Sequence, residues 1–334
     1  MKFWDREKEI RDLKRYLQSE PNAILFVYGP KSSGKSTLVE RVTRELGESY
    51  KIYWYDLRGK VIDSYKDVLG LFFREVGWKE KMLSTLARLS KVNLSVFELD
   101  TEELGKVLSG QYDAFEVMER ELAKDVERGQ RGVIVFDEIQ NLKEVFMNGG
   151  RSLVSRLFNF FVRITKVLHL SHVLVMTSDT FFIEEVYTSS ALKNTSEYYL
   201  VDYFDDETAF KILVDEGLSE DDARYAVENI GGVPWMMERI LSNGDVKEKV
   251  EELYMQHRAR LRDFLLEYEE WRKAEEILRS LLEGSFILRR DNIRTVKDLV
   301  QNEILFYDPI NGIVKFQNRL DERAARDLME GNSD

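Results

Sequence analysis

The sequence predicts an α/β fold: a phosphate-loop core with an open five-stranded parallel sheet, then a small helical lid and a C-terminal winged-helix-like domain. Three observations predict it. Residues 23–39, AILFVYGPKSSGKSTLV, pass from a short apolar run into a loop fitting G-x-x-x-x-G-K-[ST] at Gly29, Gly34, Lys35 and Ser36, and then into a helical pattern. Apolar runs at 131–138 and 173–179 end in polar residues and alternate with long helical patterns, as buried parallel strands do. Near the C-terminus, helical sequence leads into two β-rich segments joined by Asp308-Pro309-Ile310-Asn311-Gly312, whose Asn-Gly pair signals a hairpin. The expected division is a core over 1–201, a lid over 202–244 and a helical, winged-helix-like part over 245–334.

Composition narrows the function classes. The 334 residues carry 49 basic and 61 acidic side chains, a net −12, so non-specific polyanion binding by the whole molecule is not expected. A 43% hydrophobic and 33% charged content describes a soluble globular protein, and its density of Lys, Arg and Glu fits a thermophile's composition. No apolar run approaches the ~20 residues of a membrane span, and the charged start (Lys2, Asp5, Arg6, Glu7) does not read as a signal peptide, so a cytoplasmic location is expected. Cysteine is absent, and His169, His172 and His257 are scattered, which leaves no thiolate or histidine metal cluster to expect.

Taken in order, Ile10, Leu13 and Leu17 fall on one helical face, with Asp5 as the expected N-cap. In the loop that follows, Gly29, Pro30, Lys31, Ser32, Ser33, Gly34, Lys35, Ser36 and Thr37 are the expected phosphate contacts. Glycines let successive amides turn inward on an anion, and the next helix adds its free N–H groups and positive dipole end. Lys35 is expected to reach the β- and γ-phosphates of ATP, and Ser36 to offer its hydroxyl to Mg²⁺. A second strand is expected over 51–58. Residues 64–128 read mainly helical, with Val68, Leu71, Phe72 and Val76 on one face and Phe115, Met118, Leu122 and Val126 on another. Within that stretch, 84–110 fits either a helical insertion or a decorated crossover, and the second is preferred.

Four consecutive apolar residues at 133–136 mark a strand buried on both faces, and it ends in Asp137 and Glu138. An Asp here suits Mg²⁺, a hard ion that favours oxygen ligands and keeps much of its water. Adjacent strand residues point to opposite faces, so both carboxylates can serve one site only if the strand end bends. Gln140 and Asn141 either orient a water or simply form the turn. A helix over 151–168, a strand over 173–179 and a last strand over 197–201 complete the sheet. Asp205 and Ser219 start the lid helices, and Leu253, Leu261, Leu265, Trp271, Ile277 and Leu281 are the expected core positions of 246–283.

These motifs resemble the archaeal ATPase family of the STAND group, relatives of AAA+ proteins. Phe3-Trp4-Asp5-Arg6-Glu7-Lys8-Glu9 is similar to the family's aromatic-x-Arg-Glu-x-Glu opening, and Gly231-Gly232-Val233-Pro234 to its Gly-Gly-x-Pro element. The resemblance implies ATP rather than GTP, Glu138 as the general base on the attacking water, and Ser178, with Thr177 as alternate, as a γ-phosphate sensor. It also implies Arg6 as a base- or ribose-side contact and Pro234 near the adenine. One departure stands out. Where the family commonly has Gly-Arg before the last strand, this chain has Leu192-Lys193-Asn194-Thr195, and no arginine lies between Arg163 and Arg224. No arginine finger is assignable on this basis, and Lys193 would be a substitute without the guanidinium fork.

The function these readings favour is a slow ATPase switch in which the Mg·ATP or ADP state sets the arrangement of the C-terminal module. Two alternatives are a DNA-binding or remodelling protein related to origin-recognition ATPases, and a scaffold that holds nucleotide without hydrolysing it. Residues 285–319 carry six basic and four acidic side chains, which permits contact with DNA. A winged helix also docks protein partners.

Overall fold

Apolar runs too short for helices and rich in β-branched and aromatic residues become the strands of a central sheet, and the amphipathic segments between them cover its faces. The computed structural model describes residues 4–60, 65–76, 95–142, 151–183, 192, 194–242 and 244–331. In chain order the core contains α1 (Glu7–Gln18), β1 (Ile24–Tyr28), α2 (Lys35–Arg44), β2 (Tyr50–Asp56), α3 (Tyr65–Phe72), β3 (Phe73–Glu75) and β4 (Phe97–Leu99). It continues with α4 (Thr101–Leu108), α5 (Ala114–Glu127), β5 (Arg131–Asp137), α6 (Arg151–Val162), β6 (Ser171–Thr177) and β7 (Ser196–Leu200).

The five long strands form one sheet in the order β2-β5-β6-β1-β7. Every pairing is parallel, so all five strands deliver their C-terminal ends to one edge. Register there is tight: Tyr28 lies opposite Thr177 and Leu200, and Asp56 opposite Asp137. β1 and β6 are buried along their whole length, as strands with helices on both faces must be.

Beyond the sheet come α7 (Asp206–Asp215), α8 (Glu220–Ile230), α9 (Pro234–Ile240), α10 (Val246–Glu267), α11 (Trp271–Leu282) and α12 (Ile293–Gln301). The antiparallel hairpin of β8 (Leu305–Asp308) and β9 (Ile313–Phe316) follows, then α13 (Arg319–Met329). Helix, helix and hairpin give the C-terminal part its winged-helix-like form. One apolar cluster runs from Ala209 in α7 through Leu253, Leu278 and Leu299 to Met329, so the lid helices and the C-terminal part share a core.

Local expectations fared unevenly. Residues 64–128 are not continuously helical: the chain becomes extended at Phe73, and β3 pairs in parallel with β4. Val76, beyond the end of α3, is therefore 58% exposed rather than buried with Val68. Val126, in the last turn of α5, and Trp271, the first residue of α11, are also exposed. α1 begins not from an Asp5 cap but from Arg6 in a left-handed conformation, with no side-chain cap. Helix α13 was not anticipated, although Asn318, whose side chain accepts from the amides of Leu320 and Asp321, is a plain start signal. Lys193 and all of 84–94 lie outside the described residues.

Candidate active site

The site is built at the sheet edge where β1, β5 and β6 end. Gly29 leaves β1 with φ +153°, and a Cβ there would lie 2.2 Å from the Val201 carbonyl oxygen, so only glycine lets the loop pass the β7 exit. Ser32 and Gly34 take positive φ values of 60° and 93°, curling the backbone into an amide-lined concavity. Gly34 then caps α2 without a side-chain hydrogen bond, which leaves the helix's first amides available to an anion.

Lys35 is the buried cation of this loop. Its Nζ donates to the carbonyls of Gly29 (3.0 Å) and Pro30 (2.8 Å). Burial pulls its pKa down to about 8, against the opposing pull of Glu138 and Asp137. Ser36, next in the chain, lies close enough to the Asp137 carboxylate to favour its charged form. Asp137 is itself buried, which raises its pKa to about 6 while Arg58 and Ser36 act in the other direction. A hydroxyl beside a buried carboxylate is a donor set suited to Mg²⁺, which takes few protein ligands and completes its shell with water and phosphate oxygens. Among the described residues there is no cluster of three or more His, Cys, Asp or Glu for a metal bound by protein alone.

The bend that two neighbouring carboxylates require is present. Glu138 has φ +59°, a conformation sparsely used by non-glycine residues, and this turns it into the same cleft as Lys35. Ser178 Oγ donates to Glu138 Oε2 at 3.3 Å. Gln140 also hydrogen-bonds Glu138, and its Oε1 accepts from Thr177 at 2.7 Å. Thr177 is buried and caps the turn at Asp179, so Ser178, not Thr177, faces the cleft. Asn141 braces the turn by donating to the Leu57 carbonyl at 3.0 Å.

Two expected nucleotide contacts sit to one side. Arg6 is only 7% exposed, and its guanidinium donates to the Ser33 carbonyl at 3.0 Å and the Asp202 carbonyl at 2.7 Å while stacking on Phe204 at 4.3 Å. It ties the phosphate loop to the start of the lid. Pro234 is the buried first residue of α9. Gly232 before it bridges Phe204, where a Cβ would lie 2.1 Å from the Phe204 carbonyl oxygen.

Several site residues were not singled out from the sequence. The cleft, about 510 Å³, is closed on one side by Val300, Gln301, Glu303 and Gln317 of the C-terminal part. Lys31 pairs with Glu303 across it. Its carbonyl accepts from Tyr203 Oη at 2.8 Å, and its amide donates to Gln317 at 2.8 Å with that side-chain amide oriented to match its neighbours. Arg58 also enters the cleft, its fork on Asp56 and Asp137. Its signal was its place two residues beyond a strand that pairs with the Asp137 strand.

A lysine and serine at a glycine-bent loop, beside two carboxylates at a parallel sheet edge, is an arrangement suited to phosphate. The family of ATPase domains found predominantly in Archaea matches residues 3–240. The chain belongs to this family. An uncharacterized ATP-binding protein of Methanocaldococcus jannaschii is 37% identical over 98% of both chains, and another from that organism is 39% identical over 94% of this chain and 96% of its own. The Walker-type ATPase of Pyrococcus abyssi has a similar fold, with a TM-score of 0.66 at 19% identity over 97% of this chain and 96% of its own. Among the described residues of this archaeal ATPase-family chain, no helix is long and apolar enough to cross a membrane.

Proposed function

We propose that the protein binds and slowly hydrolyses Mg·ATP, and that nucleotide state sets how its lid and C-terminal part, 202–244 and 245–334, sit on the core of 1–201. The observation that carries this is that Lys35, Ser36, Arg58 and Glu138 line one cleft, with the buried Asp137 carboxylate 3.0 Å from Arg58 beside it. In this reading a triphosphate replaces the Gly29 and Pro30 carbonyls as partner of Lys35 Nζ, and loop amides at 29–37 hold its oxygens. Ser36 and Asp137 would hold Mg²⁺, whose chemistry is to neutralise developing charge on the phosphate oxygens. Glu138 takes the proton of the attacking water, and Ser178 and Gln140 orient that carboxylate. Arg6 supports the loop and Pro234 the lid, both on the side where base and ribose would lie.

Coupling rests on the contacts between the C-terminal part and the loop. Glu303 on Lys31, with 36% and 55% side-chain exposure, is a half-exposed ion pair, worth at most ~1 kcal/mol. Micromolar nucleotide binding supplies about 8 kcal/mol. A phosphate competing for Lys31 therefore prevails over Glu303, which loosens the hairpin's hold. A second reading, DNA contact through 285–319, is favoured by the exposed Arg289, Arg290 and Arg294. It is weakened by Lys315 and Arg319, which are already paired with Asp202 and Asp206 at 2.7 Å.

Phosphate release separates an ATPase from a scaffold. Native protein releases phosphate steadily with Mg·ATP, and Glu138→Gln keeps ATP affinity within about threefold while turnover falls ~10²-fold or more, the scale of a general base. Unchanged turnover in Glu138→Gln would remove Glu138 from the chemistry.

A further inference from the structure

We infer that Arg58 is the chain's own arginine finger, the residue that meets the γ-phosphate as it leaves; this rests on the ATPase reading above. Parallel pairing sets Asp56 opposite Asp137, and the Leu57 amide donates to the Asp137 carbonyl at 3.1 Å. The chain beyond β2 is thus pinned at the phosphate edge of the sheet, with Asn141 holding the Leu57 carbonyl from the other side. Arg58 leaves this pinned turn directly into the cleft that holds Lys35, Glu138 and Ser178, and among the described lining residues it is the one arginine.

Its fork is oriented in advance. Nε and one terminal nitrogen each lie 2.9 Å from the two Asp56 oxygens, and that same terminal nitrogen lies 3.0 Å from Asp137 Oδ2. The Asp56 pair is half exposed and two residues apart, so it adds little to folding stability. It does hold a planar fork, with the side chain 56% exposed, beside the carboxylate assigned to the metal. Phosphoryl transfer depends on cationic groups placed in advance around the three equatorial oxygens. In the step, the water oxygen bonds to Pγ, its proton passes to Glu138, and the bond from Pγ to the β–γ bridging oxygen breaks. The electron pair stays on ADP, and inorganic phosphate leaves. Arg58 meets the charge on the equatorial oxygens during this exchange, a task a lysine at 58 would do only as a point charge.

The test compares full-length native protein, Arg58→Ala and Arg58→Lys, each checked by thermal melt. Equilibrium binding is measured for Mg·ADP alone and for Mg·ADP with aluminium fluoride, which mimics the transferring phosphoryl group, and phosphate release is measured beside it. Arg58→Ala is expected to bind Mg·ADP within about threefold of native, to lose ~10²-fold or more with aluminium fluoride, and to turn over ~10³-fold more slowly, with Lys restoring little. Should Arg58 only steady Asp137, both complexes weaken equally, and that result overturns the assignment, as does unchanged fluoride binding. A native protein that releases no phosphate would refute the ATPase reading instead, while the fluoride-to-ADP affinity ratio still reads Arg58.

Discussion

Glu138 shows how one backbone angle decides what a residue can do. Strand alternation would send it away from Asp137, but φ +59° turns both carboxylates toward the phosphate edge, and the hydrogen bonds of Gln140 and Ser178 hold the strained turn. A residue far from the site carries a different consequence. His172 is fully buried in β6, its ring 5.2 Å from that of Tyr16, and burial together with the charge of Arg131 lowers its pKa to about 4. The unfolded chain takes up that proton near pH 6.5, the folded protein only near 4, so between these values acid favours unfolding. This contribution is fully present above pH 6.5, and up to ~3 kcal/mol of it is lost as pH falls to 4. Denaturant unfolding at pH 7 and pH 4 should therefore show a smaller loss for His172→Leu than for the native protein. Equal losses would assign the acid sensitivity elsewhere.

At the scale of elements, the segment from Glu303 through β8 and β9 joins the C-terminal part to the core. Tyr28, the last residue of β1, donates to Asp308 at 3.0 Å, and Lys31 meets Glu303 and Gln317. Glu303 places negative charge against the loop assigned to a triphosphate. Glu303→Ala should thus tighten ATP binding, by at most about fivefold given the worth of such a pair, and calorimetric titration would read it. Weaker binding would mean that Glu303 supports the nucleotide rather than competing with it. Strand-forming runs and the loop motif made all five core strands legible from sequence, because the inner strands β1, β5 and β6 carry apolar runs and the edge strands β2 and β7 aromatic ones. β3 and β4 were not legible, since each has three residues and their pairing spans a long separation. The C-terminal wall of the cleft was hidden for the same kind of reason: nothing local to Glu303 or Gln317 says that they return to residue 31.

Across the whole molecule, one apolar cluster surrounds the sheet and takes in Phe306 of the hairpin, and another joins the lid and C-terminal helices and takes in Phe181 beyond β6. Lys35 and Ser36 at the loop-to-helix junction, and Asp137 and Glu138 at the end of β5, were readable as one candidate site because the loop motif and a buried strand ending in carboxylates are both local signals. Arg58 was not, because its value comes from register with β5 and from no motif of its own. The account stands most directly on Lys35, the buried cation at the centre of the cleft. Equilibrium titration of Mg·ATP should give micromolar binding to the native protein and ~10²-fold or weaker binding to a folded Lys35→Ala variant. Equal affinity of the two proteins for Mg·ATP would contradict the assignment of this loop as the nucleotide site.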